Sequence, residues 1–249
     1  MEINKIYNED CLDGMKEIAD GSVDMILCDL PYGTTRNKWD SVIPFDALWE
    51  QYRRVIKSNG AIVLTAQTPF DKVLGCSNLQ MLKYEWIWEK NKSTGYLNAK
   101  KMPMKSHENI LVFYKKLPTY NPQYKNGKPY SNNHKPGDSG SNYGTVGYSE
   151  VHNVTTRYPR SVVRFDVDAK AEYHPTQKPV ALFEYLIKTY TNQGELVLDN
   201  CMGSGTTAIA CMNTKRNFIG FEMDKGYYDI ACKRIEDHKE ETDGLPTEN

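Results

Sequence analysis

The sequence predicts an α/β domain built on a mostly parallel sheet flanked by helices, with an insertion in its middle. Three observations predict it. Apolar, β-branched runs alternate with helix-like stretches early in the chain, and the same alternation returns at its end. Between them lies a segment rich in Tyr, Asn, Lys, Gly and Pro that has no long helical periodicity. With 249 residues, 39% of them hydrophobic, the chain suits one large domain carrying an insertion.

The first elements are a strand from Val23 to Cys28, a helix from Asp46 to Ile56 and a strand from Ala61 to Ala66. Strand-like patches, Ile110 to Tyr114 and Ser161 to Phe165, bracket the middle. The last part reads as a helix from about Val180 to Tyr190, a strand from Leu196 to Leu198, a helix from about Thr206 to Met212, a strand from Phe218 to Phe221 and a closing helix from about Lys225. Beyond Glu236 the tail is charged and is expected to fray. The implied organisation is one domain in two halves, 1–90 and 161–240, an insertion at 91–160 and a flexible tail at 241–249.

Lys and Arg total 31 against 32 Asp and Glu, so the net charge of -1 gives no global sign of a nucleic-acid or membrane partner. The distribution does. Between Lys90 and Lys135 the chain carries Lys92, Lys100, Lys101, Lys105, Lys125 and Lys128 among other lysines, with Glu108 as the one acid. Tyr96, Tyr120, Tyr124, Tyr130 and Tyr143 are interleaved with them. Lysines that meet phosphate and rings that stack on bases have this composition, and so does a solvated loop; the charge run alone fits both equally. The N-terminus has no basic head followed by an apolar run, and no segment has the length to cross a bilayer, so the protein reads as cytosolic with no membrane partner. Six scattered cysteines include no C-x-x-C pair, which points to reduced thiols and no metal site.

Two stretches carry chemistry. In ELVLDNCMGSGTTAIAC a strand ends at Asp199, Gly203 and Gly205 make a turn, and a helix starts at Thr206. Such a turn lets the backbone approach a ligand and aims helix N–H groups at it. The pattern is neither a phosphate-binding G-K-S/T loop nor G-x-G-x-x-G. The next strand ends in IGFEMD, which puts Glu222 about 20 residues on, where an acid can accept both hydroxyls of a ribose. Loop and acid together describe a pocket for a nucleoside-containing cofactor. The other stretch, DLPYG, leaves the Val23 strand through Asp29, Leu30, Pro31, Tyr32 and Gly33. Alone it fits a strand-ending turn just as well as a site.

DLPYG, HPTQKP (His174 to Pro179) and DNCMGSGTT (Asp199 to Thr207), in that order, resemble the S-adenosylmethionine-dependent DNA amino-methyltransferases of the β class. The resemblance runs from YNEDCLDGM to FEMDKGYYDIACKRI. It implies a Rossmann-like methyltransferase fold, a catalytic half that precedes a target-recognition region, and a cofactor-binding half that comes last. It places Asp199, Cys201, Gly203, Ser204, Gly205 and Thr206 on the loop that holds the methionine part of S-adenosylmethionine, and Glu222 on its ribose. Asp10 and Cys11 fall near its adenine, and Thr176, Gln177 and Lys178 beside its methionine, with Pro179 as the first residue of a helix. Two positions depart from the family's pattern: D-N-C-M-G-S-G stands for D-P-F-x-G-S-G, and D-L-P-Y for D-P-P-Y. His174 is assigned a structural role.

The implied reaction explains DLPYG. An exocyclic amino group is a poor nucleophile because its lone pair is delocalised into the base. Two acceptors, the Asp29 carboxylate and a backbone carbonyl of Leu30 or Pro31, would favour a pyramidal nitrogen facing the methyl sulfonium. Pro31 stiffens the array, Tyr32 can stack on a base that has left the duplex, and Gly33 spares that base a Cβ. The resemblance implies duplex DNA as partner, pairing of two copies, and a prokaryotic or phage-encoded restriction-modification setting in the cytoplasm. Aspartate as the first residue favours adenine N6 over cytosine N4. Alternatives are a methyltransferase on RNA or a protein amide, against which the motif order argues, and a DNA-binding protein without chemistry.

Overall fold

The computed structural model describes residues 1–33, 40–134, 137–138, 145–146, 149–167 and 177–243. Its elements in chain order are β1 (Lys5–Tyr7), α1 (Cys11–Gly14), a 3-10 turn (Met15–Glu17), β2 (Val23–Asp29), α2 (Phe45–Val55), β3 (Ile56–Ala66), α3 (Phe70–Ser77), β4 (Leu82–Thr94), a 3-10 turn (Tyr96–Asn98) and β5 (Lys105–Phe113). There follow β6 (Lys125–His134), β7 (Gly137–Asp138), β8 (Thr145–Val146), β9 (Ser149–Arg157), β10 (Val162–Arg164), α4 (Val180–Tyr190), β11 (Leu196–Asp199), α5 (Thr206–Asn213), β12 (Asn217–Phe221) and α6 (Lys225–Asp243).

The main sheet runs β1-β12-β11-β2-β3-β5-β4-β10. Its strands pair in parallel except where β5 lies antiparallel between β3 and β4. Both faces are covered, which is why β2 reads as an unbroken apolar run although its side chains alternate. Met25 and Leu27 join one core with Leu182 and Phe183 of α4 and Ala208 of α5. Ile26 and Cys28 join the other with Trp49 and Tyr52 of α2 and Leu74 of α3. In α2 the buried residues Leu48, Trp49, Tyr52 and Val55 recur at helical spacing, which is what made this helix legible.

The strand order reverses between β2 and β11. From β2 the chain moves to β3 on one side, and from β11 to β12 on the other, so a crevice opens where Asp29 and Asp199 end adjacent strands.

Contacts divide the chain into two units, Met1–Asn121 with Ser161–Asn249, and Pro122–Arg160. Residues 91–121, grouped with the insertion by composition, supply the end of β4 and all of β5 in the larger unit. The smaller unit is a β6–β9 antiparallel hairpin in which the Arg157 guanidinium lies 4.1 Å from the centroid of the Tyr130 ring. The tail differs from expectation. Helix α6 continues past Glu236 to Asp243, with Ala231 and Ile235 buried and a Lys233–Asp237 pair of i,i+4 spacing at 3.0 Å. Helix α4 starts at Val180, one residue after Pro179. No helix among the described residues is long and apolar enough to cross a membrane.

Candidate active site

A cleft of about 680 Å³ opens at the reversal point. Its walls include Asp10, Cys11, Asp29, Leu30, Pro31, Tyr32, Lys92, Lys178, Asp199, Cys201, Gly203, Ser204, Thr206 and Glu222. The predicted catalytic and cofactor residues are thus brought to one place from opposite ends of the chain. Gly205 is not on the wall, and Thr176 and His174 lie outside the described residues.

At one end, the glycine turn is held by backbone donors. The Asp199 carboxylate is buried and accepts from the Cys201 N–H at 3.0 Å and from the Thr207 hydroxyl. Burial pushes its acid up to about 6 against those bonds, which pull the other way. Glu222 accepts the Gly203 N–H on one oxygen and the Asp224 N–H on the other, each at 2.8 Å. Burial raises its acid above the ordinary carboxylate range. Gly203 has φ +55 and open space where a Cβ would stand. Gly205, with φ +86, serves the packing instead. A Cβ there would lie 3.2 Å from the Cβ of Ala231, so its bare backbone lets α6 come close. Arg234 of α6 donates to the Ser204 carbonyl at 3.1 Å and ties that loop down.

The departure at Asn200 and Cys201 has a local compensation. Asn200 is buried, accepts the Tyr52 hydroxyl at 2.5 Å, and donates its amide to the sulfurs of Cys11 and Cys201 at 3.5 Å each. The Cys11 thiol is held protonated by its hydrogen bond with Cys201 and by burial. Asp10 caps α1, accepting the Leu12 N–H at 2.7 Å.

The other end is held by side chains. One Asp29 oxygen, Oδ1, accepts the Tyr32 hydroxyl at 2.7 Å and the Thr65 hydroxyl; the other, Oδ2, accepts Lys178 Nζ at 2.5 Å. Lys178 Nζ also lies 3.4 Å from Glu108 Oε2, and Glu108 Oε1 accepts from Lys90 and, at 2.8 Å, from Gln67. The Tyr32 ring stacks on Phe70 at 5.0 Å and 28°. Phe70 therefore covers one face of the ring, and Lys178 Nζ stands over the ring at 5.7 Å from its centroid.

Lys178, expected beside a methionine moiety, lines the cleft and donates to the Asp29 carboxylate. Lys90, Thr65 and Glu108 were not predicted for the site. A signal for Glu108 did exist: the one acid of the lysine-rich run stands at the head of the apolar stretch NILVF. Of the lysines, Lys92 reaches the cleft, Lys100, Lys101 and Lys105 are exposed on the larger unit, and Lys125 and Lys128 are exposed on the smaller one. No group of three or more His, Cys, Asp or Glu among the described residues could hold a metal ion.

A reversing parallel sheet with a glycine turn at one strand tip and an acid at the next is the doubly wound architecture that takes a nucleoside-containing cofactor at its switch point. Within that class, the DNA methylase family matches residues 23–233, and the chain belongs to that family. Type II methyltransferase M1.MboII of Moraxella bovis is 29% identical over 263 residues, covering 93% of this chain and 96% of that protein. The DNA adenine methyltransferase YhdJ of Escherichia coli (strain K12) is 30% identical over 257 residues, covering 94% and 83%. The crystal structure of M1.HpyAVI in complex with SAM superposes with a TM-score of 0.64 at 26% identity, covering 93% of this chain and 98% of that one.

Proposed function

We propose that this DNA methylase transfers a methyl group from S-adenosylmethionine to the N6 amino group of adenine in duplex DNA. The observation that carries the reading is the Asp29 carboxylate, fixed by three side chains at the mouth of β2, in the same cleft as the Glu222 and Gly203 cradle. YhdJ, named for adenine, supports the choice of base.

The cleft fits the cofactor. Glu222 would hold the ribose hydroxyls, the open Gly203 backbone would admit the chain that follows them, and Asp199, Cys201, Ser204 and Thr206 would line the methionine part. Asp10 and Cys11 would flank the adenine. When bound, S-adenosylmethionine supplies a sulfonium methyl to the amino nitrogen's lone pair, the sulfur keeping the C–S electrons.

Asp29 and a carbonyl of Leu30 or Pro31 accept the two amino hydrogens and turn the nitrogen lone pair out of the ring plane. Tyr32 lines the cleft where it can stack on the base once that has left the duplex, and Asp29 is placed to take the proton that the methylated nitrogen sheds. Lys92, Lys100, Lys101, Lys105, Lys125 and Lys128 meet phosphates. Replacing Lys125 or Lys128 with Ala is expected to weaken binding equally across DNA sequences and to lower the salt slope by about 1 each, as read by titration at several salt concentrations.

The test of the reaction is purified protein with unmethylated duplex DNA and methyl-labelled S-adenosylmethionine, followed by mass spectrometry of the nucleosides. Label in N6-methyladenine that disappears in Asp29→Ala is the expected result. Label in N4-methylcytosine would replace the base, and no label on a broad pool of DNA would overturn the reading.

A further inference from the structure

The corner around Asp29 holds more buried charge than fixing one carboxylate requires. The side chains of Lys90, Glu108 and Lys178 are 6%, 5% and 6% exposed. They form a line: Lys90 on Glu108 Oε1, Glu108 Oε2 facing Lys178 Nζ at 3.4 Å, and Lys178 on Asp29 Oδ2 at 2.5 Å. Taking such ions out of water is unfavourable unless every contact closes. One does not. Lys90 and Gln67 both donate to Oε1, and Glu108 Oε2 has no hydrogen-bond partner among the described residues. Oε2 is held only by the long 3.4 Å ion pair to Lys178, whose short bond goes to Asp29, so a small side-chain movement of an ammonium with three donors would close it into a full hydrogen bond.

We propose that Glu108 is a positioning residue for methyl transfer, its open Oε2 receiving Lys178 when the target amino group takes Asp29 Oδ2. The inference rests on the proposed reaction at Asp29. Asp29 Oδ1 already accepts from Tyr32 and Thr65, so Oδ2 is the oxygen with room for a substrate hydrogen. The amino nitrogen becomes cationic as it gains the methyl, and an ammonium bonded to the same oxygen opposes that charge. Moving Lys178 toward Glu108 removes the opposition, gives Asp29 wholly to the base, and fills the open acceptor. Lys178 has a carboxylate partner at either position. Lys90 and Gln67 keep hold of Glu108 by its other oxygen, so the carboxylate stays while the lysine moves.

The charge states support an exchange without proton transfer. Burial would raise the Glu108 acid, but Lys178 and then Lys90 outweigh it and hold it below the ordinary carboxylate range. Burial would lower Lys178, but Asp29 and then Glu108 outweigh it and hold it above the ordinary lysine value. Both groups are charged throughout the neutral range.

The test uses the full chain, target duplex and single-turnover methyl transfer. Glu108→Gln keeps the volume and weakens the second acceptor. It is expected to slow the transfer step on the order of 10- to 100-fold, while the Kd for S-adenosylmethionine and the KM for DNA change less than about threefold. Because Glu108 acts through Lys178, adding Glu108→Gln to Lys178→Met should cost nothing beyond Lys178→Met alone. A Glu108→Gln rate within about twofold of wild type, or losses that add in the double variant, overturns the exchange. Lysine ammonium NMR of the wild-type protein with S-adenosylhomocysteine is independent of variant folding. The Lys178 signal, assigned with Lys178→Arg, should shift on adding target duplex and not on adding DNA that lacks the site; a signal that stays in place also overturns the exchange. Wild-type protein that labels no DNA would remove the underlying reaction, an outcome distinct from an active enzyme indifferent to Glu108.

Discussion

The two ends of the cleft fix carboxylates at strand tips by opposite means. Glu222 is held by backbone N–H groups of Gly203 and Asp224, and Asp199 by the N–H of Cys201 with one hydroxyl. Asp29 is held by the side chains of Tyr32, Thr65 and Lys178. Backbone donors stand where the chain path puts them and carry no net charge. Side-chain donors bring a counter-charge and can move. The difference suits the two proposed roles, a fixed cradle for a cofactor and an adjustable grip for a base that arrives from a duplex.

The largest effect that separates the two ends is Asp29→Ala. Loss of the acceptor is expected to slow single-turnover methyl transfer by about 10³-fold or more, and to leave S-adenosylmethionine affinity within about threefold by calorimetry. If affinity fell as far as rate, the ends would not be separable and the comparison would fail.

The same contrast explains what was legible in the sequence. The bonds that hold Asp199 in the glycine turn are local: it reaches Cys201 two residues on and Thr207 eight residues on, and Glu222 meets Gly203 across only 19. A motif therefore records the whole device, and the strand, turn and acid could be read directly. The grip on Asp29 is assembled from Thr65 and Lys178, 36 and 149 residues away, and Glu108 joins through Lys178. Nothing local marks those partners, and neither stretch read alone joins Lys178 to Asp29. The fold was legible where the apolar pattern is plain, periodic in α2 and α4 and unbroken in β2. Helix α3 and strand β4 were missed: α3 has eight residues, and β4 begins on a charged, exposed stretch, LKYE, where alternation is hidden.

The second effect concerns Asp199, whose acid burial raises to about 6 from an ordinary 3.8. The unfolded chain sheds this proton first as pH rises, so the folded state binds more protons across that window and stability falls with increasing pH. The group should account for a loss of about 2 kcal/mol between pH 4 and 7. Asp199→Asn, which keeps an acceptor for Cys201, should flatten that part of the profile in urea unfolding at a series of pH values. An unchanged profile would mean that the backbone donors already offset the burial. Glu222→Ala, next in size, is expected to raise the S-adenosylmethionine Kd about 30-fold, through roughly 2 kcal/mol of lost charge-assisted bonds, and to change the saturated transfer rate by less than about threefold. It mirrors Asp29→Ala: one end governs affinity and the other rate.

The smallest effect sharpens the comparison inside the cradle itself, between two glycines of one turn. Gly205 has φ +86, and an added Cβ would meet Ala231 at 3.2 Å, away from the cleft wall. Gly205→Ala combines left-handed strain with a tight contact, and should cost about 1–2 kcal/mol, lowering Tm by about 2–4 °C per kcal/mol while leaving cofactor affinity unchanged. Gly203 has φ +55, lies on the cleft wall, and has nothing within 4 Å of an added Cβ. Gly203→Ala therefore carries only the strain in the free protein, and its methyl would stand in the space proposed for the cofactor. Its Tm should fall less than that of Gly205→Ala and its S-adenosylmethionine affinity more, as read by thermal unfolding and calorimetry on the two variants. Equal losses of affinity would mean that the turn acts as one unit and that Gly203 has no separate role in admitting the ligand.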